Sequence, residues 1–138
     1  MSAAEQTHIA TEFLVNIGRG GIDSIHYADD LTAWSHLMGT VNLEEYLPKL
    51  QVVKEVFSPP MEMWVDTSTA EPGRVVLQSR SRGTLFTGEE YTNEYLFLFE
   101  FNDRNQIRHI REYFDLDRTR DILLPAVEKW RESQGNGK

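Results

Sequence analysis

Three consecutive long strands are predicted between Arg74 and Leu116, and this stretch constrains the fold more than any other part of the chain. The strand-like runs cover residues 74–86, 90–101 and 106–116, and turn sequences rich in Gly, Asn and Asp separate them. In the middle run, alternate residues form one largely aromatic face, made of Tyr91, Asn93, Tyr95, Phe97, Phe99 and Phe101. Because short turns join antiparallel neighbours, the stretch predicts an antiparallel meander.

Two helices are predicted at the N-terminal end. The first has apolar residues at helical spacing, namely Ile9, Ala10, Phe13, Leu14 and Ile17. Three glycines between positions 18 and 21 then end it, because glycine readily adopts the left-handed conformation of a helix C-cap. A short second helix over residues 22–28 is expected to bury Ile22 and Ile25, and the pair Asp29-Asp30 stops it.

A short strand and a third helix follow. The strand covers residues 31–37, and Gly39-Thr40 turns the chain. Asn42 then caps the helix, with Glu45 as its partner in a capping box. Pro48 lies inside the apolar pattern of this helix and either restarts the helix or kinks it.

One more strand and a last helix complete the prediction. The strand covers residues 61–67 and has a period of two. Asp117 is predicted to cap the last helix, Pro125 breaks or restarts it, and residues 133–138 are expected to fray. Since helices precede an antiparallel meander, we predict a single α+β domain over residues 1–138, with the N-terminal helices packed on a curved, mostly antiparallel sheet.

The composition argues against several classes of function. The chain has 138 residues and a net charge of -8, so it repels phosphate backbones, and neither nucleic acid nor a membrane is an expected partner. It has no cysteine, which excludes disulfides and thiolate metal sites. Its histidines lack zinc-motif spacing, and no nucleotide-binding loop or nucleophile elbow occurs. Without a signal-peptide pattern or a long apolar run, the chain is expected to be cytoplasmic.

Glu112 is the strongest candidate for an acid or base. It lies on the last strand of the meander and shares a face with Ile110 and Phe114. A carboxyl group among apolar neighbours loses solvation, and its pKa rises toward neutrality. That range suits proton transfer. The alternative is a structural glutamate that forms a salt bridge with an arginine of the sheet.

Two pairs of residues and one arginine are further candidates for contact with a ligand. Asn93 and Tyr95 share a face of the middle strand and either hydrogen-bond a ligand oxygen or belong to the core. Trp34 and His36 share a face of the first strand. Together they either stack on and protonate an apolar ring of a ligand, or Trp34 is a core residue and His36 a surface residue. Arg80 either enters a pocket or points to solvent or to a dimer partner. The pocket position requires a paired anion, because a buried arginine without one is unfavourable.

The strand over residues 90–101 is apolar on both faces along much of its length. One face can meet the helices and a pocket, whereas the other needs separate cover. A symmetric partner provides such cover, so we expect a homodimer formed through the outer face of the sheet.

Four stretches carry a family resemblance: Tyr27-Ala28-Asp29-Asp30, Ser81-Arg82-Gly83, residues 88–95, and Ile107 to Asp115. With them the chain resembles, over residues 8 to 124, the SnoaL-like proteins of the nuclear transport factor two-like, or cystatin-like, superfamily. The resemblance implies a cone-shaped α+β barrel, usually dimeric, with an apolar pocket between helices and sheet. Enzymes of the superfamily include polyketide cyclases, ketosteroid isomerases, scytalone dehydratases and limonene epoxide hydrolases. They generally work without a metal or an organic cofactor.

Some catalytic positions of the similar enzymes have a matching residue in this chain, and others do not. The stretch Arg111 to Asp115 is similar to Arg-Asp-Tyr-Phe-Asp of limonene epoxide hydrolase, whose first aspartate is catalytic, and Glu112 takes that place here. That enzyme also has Arg-x-Asp on the preceding strand, where this chain has Gln78 and Arg80, so its triad is incomplete. Arg80 could instead pair with Glu112, which would lower the Glu112 pKa and favour a base over an acid.

Together these observations predict a cofactor-independent proton-transfer enzyme of the isomerase, cyclase or dehydratase type. Its substrate would be a small, apolar, carbonyl-bearing molecule such as a polyketide, steroid or terpenoid. Glu112 would move the proton with help from His36, and the oxygen and the pocket wall would be held by Asn93, Tyr95, Arg80, Trp34, Phe97 and Phe114. The alternatives are a non-catalytic small-molecule-binding dimer and a protein-interaction module of the same fold.

Overall fold

The computed structural model describes residues 2–19 and 24–136 and contains a six-stranded mixed sheet with helices packed against it. The strand order is β2-β1-β6-β5-β4-β3, and the sheet is open rather than closed into a barrel. Only β1 and β6 pair in parallel, and every other neighbouring pair is antiparallel. The strands are β1 (Tyr27–Ser35), β2 (Gly39–Asn42), β3 (Glu62–Glu71), β4 (Arg74–Thr84), β5 (Glu90–Phe101) and β6 (Ile107–Phe114). The predicted α+β class with a mostly antiparallel sheet is confirmed.

The predicted meander forms from β4, β5 and β6. Its middle strand has the bounds that the sequence predicts, and Phe97 and Phe99 on its inner face are buried. Gly73 and Gly88 lie in the turns before β4 and β5 with φ near 92°, a conformation that favours glycine. The turn with Gly73 joins β3 to β4, and the turn with Gly88 joins β4 to β5. Strands β4 and β5 pair in continuous register from Arg74 opposite Glu100 to Thr84 opposite Glu90.

The helices are α1 (Ala3–Val15), α2 (Leu43–Val56), the short α3 (Leu116–Arg118) and α4 (Leu124–Asn136). Asn42 caps α2 as predicted: its side chain accepts from the Glu45 amide, and the Glu45 carboxylate accepts from the Asn42 amide. Pro48 lies inside this single helix, so α2 does not restart there.

Several local predictions between α1 and α2 are wrong. Within the described part of the predicted helix, residues 24–28, a turn of 3₁₀ helix forms over Ser24–His26 and a strand follows, and Ile25 is 68% exposed instead of buried. Residues 20–23, including Ile22, lie outside the described residues. The strand β1 already starts at Tyr27, so the acidic pair Asp29-Asp30 lies within it. The predicted turn at Gly39-Thr40 begins a second strand, because this segment pairs antiparallel with β1.

The C-terminal helical segment begins two residues earlier than predicted. Asp115, not Asp117, is the N-cap, and its side chain accepts from the amides of Asp117 and Arg118. A widened helical turn over Thr119–Leu123 precedes α4, and Pro125 is the second residue of that helix. Proline lacks an amide proton, so Pro125 donates no backbone hydrogen bond to the preceding turn. Of the residues expected to fray, 133–136 are helical, and 137 and 138 lie outside the described residues.

The core lies between the inner face of the sheet and the helices. Phe13 of α1 packs edge-on against Phe99 of β5, with ring centroids 6.0 Å apart. At the far end of α1, the buried Gln6 side chain accepts from the Gly73 amide and donates to Asn105, so it joins α1 to two turns of the meander. No helix among the described residues is long and apolar enough to span a bilayer. A cavity lies between α2, α4 and the inner face of the sheet.

Candidate active site

A cavity of about 450 Å³ lies between the inner face of the sheet, α2 and the C-terminal helical segment. This volume is within the usual range for small-molecule sites. Its wall is mostly aliphatic and aromatic, with contributions from Leu50, Val53, Met61, Met63, Phe97 and Phe114 among others. Phe97 and Phe114 therefore form part of the wall, and their contact with a substrate stays a prediction.

Glu112 places its carboxyl group in this cavity. The alternation of β6 turns Ile110, Glu112 and Phe114 toward the helices, and Ile110 is fully buried. Glu112 itself is half-buried, and the area that it exposes borders the cavity. Burial raises the pKa of this carboxyl from the ordinary 4.5 to about 7, because the ionised form loses hydration.

Tyr46 is the direct partner of Glu112. It lies on α2, is 2% exposed, and its phenol donates a hydrogen bond of 2.7 Å to Oε1 of Glu112. This bond stabilises the carboxylate and lowers the Glu112 pKa, but the effect of burial is larger. Burial first and the nearby carboxylate second raise the pKa of Tyr46 itself, so its phenol stays protonated and remains a donor.

Tyr46 occupies an apolar position of α2, and such a position by itself predicts a core residue rather than a site residue. The available signal was chemical: a buried tyrosine on an otherwise aliphatic helix face needs a partner for its hydroxyl group. Ser35 and Tyr91 also line the cavity and were not predicted there. Ser35 is 2% exposed on the inner face of β1, opposite Glu112 in the parallel register of β1 and β6.

Tyr95 is the second polar group of the cavity wall. Its hydroxyl lies 2.8 Å from the Ser81 hydroxyl, and its ring stacks on Phe97 with centroids 5.4 Å apart. Burial is the main cause that raises the pKa of Tyr95 above its ordinary value. A phenol that stays protonated at neutral pH can donate a hydrogen bond to a ligand oxygen.

Asn93 is adjacent to the cavity but is not part of its wall. It is 3% exposed, and its amide group donates to the Tyr91 hydroxyl at 2.6 Å and to the Asp115 carbonyl at 3.2 Å. Its carbonyl oxygen accepts from the Asp115 amide at 3.1 Å. The predicted contact with a ligand oxygen is therefore corrected: Asn93 holds Tyr91 and the chain after β6, because its hydrogen-bonding groups are already used inside the protein.

Trp34 and His36 lie on the outer face of the sheet, which corrects their predicted position in the pocket. The inner residues of β1 are Ala33 and Ser35, both buried, so the alternation turns Trp34 outward. The rings of Trp34 and His36 have centroids 4.7 Å apart, and Tyr113 packs on both. His36 is thus on the opposite side of the sheet from the Glu112 carboxyl.

Arg80 is also on the outer face, so the predicted pocket role and the pairing with Glu112 are wrong. Its guanidinium group binds both carboxylate oxygens of Asp66, at 2.8–3.1 Å, and lies 5.1 Å from the Trp64 ring centroid. The buried neighbours Ser79 and Ser81 occupy the inner face of β4. Gln78 is likewise exposed, so neither position contributes to an epoxide hydrolase triad in the cavity.

The described residues contain no group of three His, Asp or Glu side chains that could hold a metal ion. The absence of a cofactor stays a prediction. Glu112, Tyr46 and Tyr95 of the cavity wall can transfer protons and form hydrogen bonds with a ligand.

No protein-family model matches the chain, and no curated protein matches it. Solved structures do. A protein assigned as a SnoaL-like polyketide cyclase from Jannaschia sp. CCS1 is 20% identical, with a TM-score of 0.71 over 83% of this chain and 88% of that one. An NTF2-like protein from Anabaena variabilis is 22% identical, with a TM-score of 0.63 over 81% and 85%. An LEH-like epoxide hydrolase from M. tuberculosis is 15% identical, with a TM-score of 0.67 over 95% and 98%.

These likenesses establish the fold. The chain has the nuclear transport factor two-like α+β fold, which it shares with SnoaL-like and epoxide hydrolase-like structures. The resemblance seen in the sequence is thereby confirmed at the level of fold, over most of the chain.

Proposed function

We propose that this protein is a cofactor-independent enzyme that moves a proton on a small, apolar, carbonyl-bearing molecule. One observation carries the proposal: a carboxyl group with a pKa of about 7 lies in an apolar cavity and is held by a buried phenol. A base whose pKa is close to the working pH is ionised in a large fraction of the molecules and still binds a proton strongly enough to remove it from the substrate. Structures of the same fold include a protein assigned as a polyketide cyclase and an epoxide hydrolase, which supports an enzymatic function.

The reaction would use Glu112 as the base. Its carboxylate takes a proton from the carbon next to the substrate carbonyl, and the electron pair of the broken C–H bond moves onto the carbonyl oxygen as an enolate. Tyr95 donates a hydrogen bond to that oxygen, where negative charge develops. The protonated Glu112 then returns the proton to another carbon or to a leaving hydroxyl group, which gives an isomer or a dehydrated product.

The remaining groups hold these two in place. Tyr46 fixes one oxygen of Glu112, which leaves the other for the substrate. Asn93 acts as a positioning residue, because it holds Tyr91 and the Asp115 backbone rather than a ligand. A cavity of about 450 Å³ has room for a ring system of the size found in polyketides, steroids or terpenoids.

Proton exchange tests the proposal without knowledge of the natural substrate. The protein is incubated in D₂O with a panel of apolar cyclic ketones, and deuterium uptake next to the carbonyl is followed by mass spectrometry. We expect uptake with the wild type and at least a hundredfold loss with Glu112→Gln, since general-base catalysis contributes on the order of 10² to 10⁴ in rate. Glu62→Gln removes the same charge from an exposed site on β3 and should retain activity. Equal uptake by all three proteins would exclude Glu112 as the base.

A homodimer through the outer face of the sheet belongs to the same proposal. The outer face carries Leu96, which is 47% exposed, and Tyr113, which is 38% exposed. Beside them Arg111 stacks on Trp34, with its guanidinium carbon 4.0 Å from the ring centroid. Aromatic residues and arginine are enriched at subunit interfaces, so this surface supports self-association.

A further inference from the structure

The charges around the cavity have an uneven distribution. Of the described residues that line the cavity, Lys49, Glu112 and Arg131 are charged. The chain as a whole has 22 acidic and 14 basic residues, so its surface is predominantly acidic. The cavity nevertheless has two cations and a single carboxyl group on its wall.

The two cations lie on neighbouring helices at the outer end of the cavity. Lys49 is three residues after Tyr46 on α2 and therefore lies on the same side of that helix, one turn further along. Arg131 follows Val127 by one turn of α4, and Val127 also lines the cavity. Both cations are exposed, whereas Tyr46 and Glu112 lie deeper, so Lys49 and Arg131 mark the mouth.

Neither cation forms an ion pair with another of the described residues. The ion pairs among the described residues involve other side chains, and neither Lys49 nor Arg131 takes part in any of them. In contrast, the outer-face residues Arg80 and Arg82 are paired with Asp66 and Glu90. A cation without an internal partner at the rim of a ligand cavity is available for a charge on the ligand.

We infer that the ligand carries a carboxylate or similar anionic group at the end opposite its reacting carbonyl, and that Lys49 and Arg131 bind this group at the cavity mouth. The inference rests on the proposed function and narrows its substrate class to acidic apolar molecules. It also accounts for orientation. The partly ionised Glu112 repels an anionic end, so the charge stays at the mouth and the carbonyl enters toward Glu112 and Tyr95.

A pair of fluorescent probes tests the inference. 8-Anilinonaphthalene-1-sulfonate and N-phenyl-1-naphthylamine share the same aromatic skeleton, and only the first has an anionic group. Both are titrated into the wild type and the double variant Lys49→Gln/Arg131→Gln. The matched control is Lys54→Gln/Lys129→Gln, which removes two exposed cations from the same helices away from the cavity.

We expect the wild type and the control to bind the sulfonate about tenfold more tightly than the neutral probe. This estimate assigns up to about fivefold to each exposed ion pair. In the Lys49→Gln/Arg131→Gln variant the preference should fall to about twofold or less while the affinity for the neutral probe stays unchanged. Added salt should weaken the preference in the wild type.

The two probes separate the possible failures. If the neutral probe binds and the sulfonate has no advantage, or if its advantage survives in the Lys49→Gln/Arg131→Gln variant, the anion site is excluded and the proposed function stands. If neither probe binds, the apolar cavity does not accept ligands, and the proposed function fails together with the inference.

Discussion

The phenol of Tyr46 on α2 donates a 2.7 Å hydrogen bond to Oε1 of Glu112 on β6, and so joins the helix layer to the sheet inside the cavity. Two opposing effects meet at this contact. Burial disfavours the ionised carboxylate, and the hydrogen bond favours it. Burial is the larger effect, and the resulting pKa of about 7 leaves Glu112 partly ionised at neutral pH.

Removal of the phenol should raise the Glu112 pKa further. In Tyr46→Phe the carboxylate loses its hydrogen bond while its apolar surroundings remain, so the ionised form becomes less favourable. If ionised Glu112 is the base, the rise of kcat/KM with pH should move to higher pH in this variant. Tyr113→Phe removes a phenol from the outer face and should leave the profile unchanged. An unshifted or acid-shifted profile in Tyr46→Phe would disprove the role of this hydrogen bond.

The stability of the wild type should depend on pH in a way that Glu112→Gln does not. The pKa of Glu112 is raised on folding, so between pH 4.5 and about 7 the folded protein holds a proton that the unfolded chain has released. The contribution is fully present below pH 4.5 and is lost as pH rises through about 7. Relative to Glu112→Gln, the wild-type free energy of unfolding should fall by about 3 kcal/mol across this window.

Urea denaturation at half-unit pH steps measures this difference, because the other titrating groups are common to both proteins. A constant difference between wild type and Glu112→Gln from pH 4.5 to 8 would mean that the carboxyl is not desolvated in the folded state.

The proposed homodimer should dissociate when a charge enters the outer face. Leu96 pairs with Tyr113 across β5 and β6, and in Leu96→Glu each copy would bring a carboxylate into the self-associating surface. Analytical ultracentrifugation should show a dimer for the wild type and a monomer for this variant. Leu47→Glu introduces the same charge at an exposed position of α2, 37% exposed, and should remain dimeric. A monomeric wild type would instead leave the outer face free for another protein.

Local patterns predicted the meander and α2 well because each depends on neighbouring residues. Strand β5 follows from strict alternation between two turns, and the start of α2 follows from the capping box of Asn42 and Glu45. Glu112 was also recognisable, since Ile110 and Phe114 on the same face indicated an inward direction. Each of these features depends on residues that lie only a few positions apart in the sequence.

The rest of the site depends on contacts between distant segments. The faces of Trp34, His36 and Arg80 depend on which side of the sheet the helices cover, and the resemblance to other enzymes suggested the wrong face for Arg80. Strand β2 is too short to be recognised before its partner is known. Tyr46 became a site residue because α2 crosses the sheet 66 positions before Glu112 in sequence, which no local period predicts.

Titration of the Glu112 carboxyl itself decides whether this group can act as the base near neutral pH. In protein labelled with ¹³C at glutamate side chains, NMR can follow the carboxyl shift with pH, and the Glu112 signal is the one that disappears in Glu112→Gln. We expect a midpoint of about pH 7. A midpoint near the ordinary 4.5 would show a hydrated carboxylate and would contradict the proposed base.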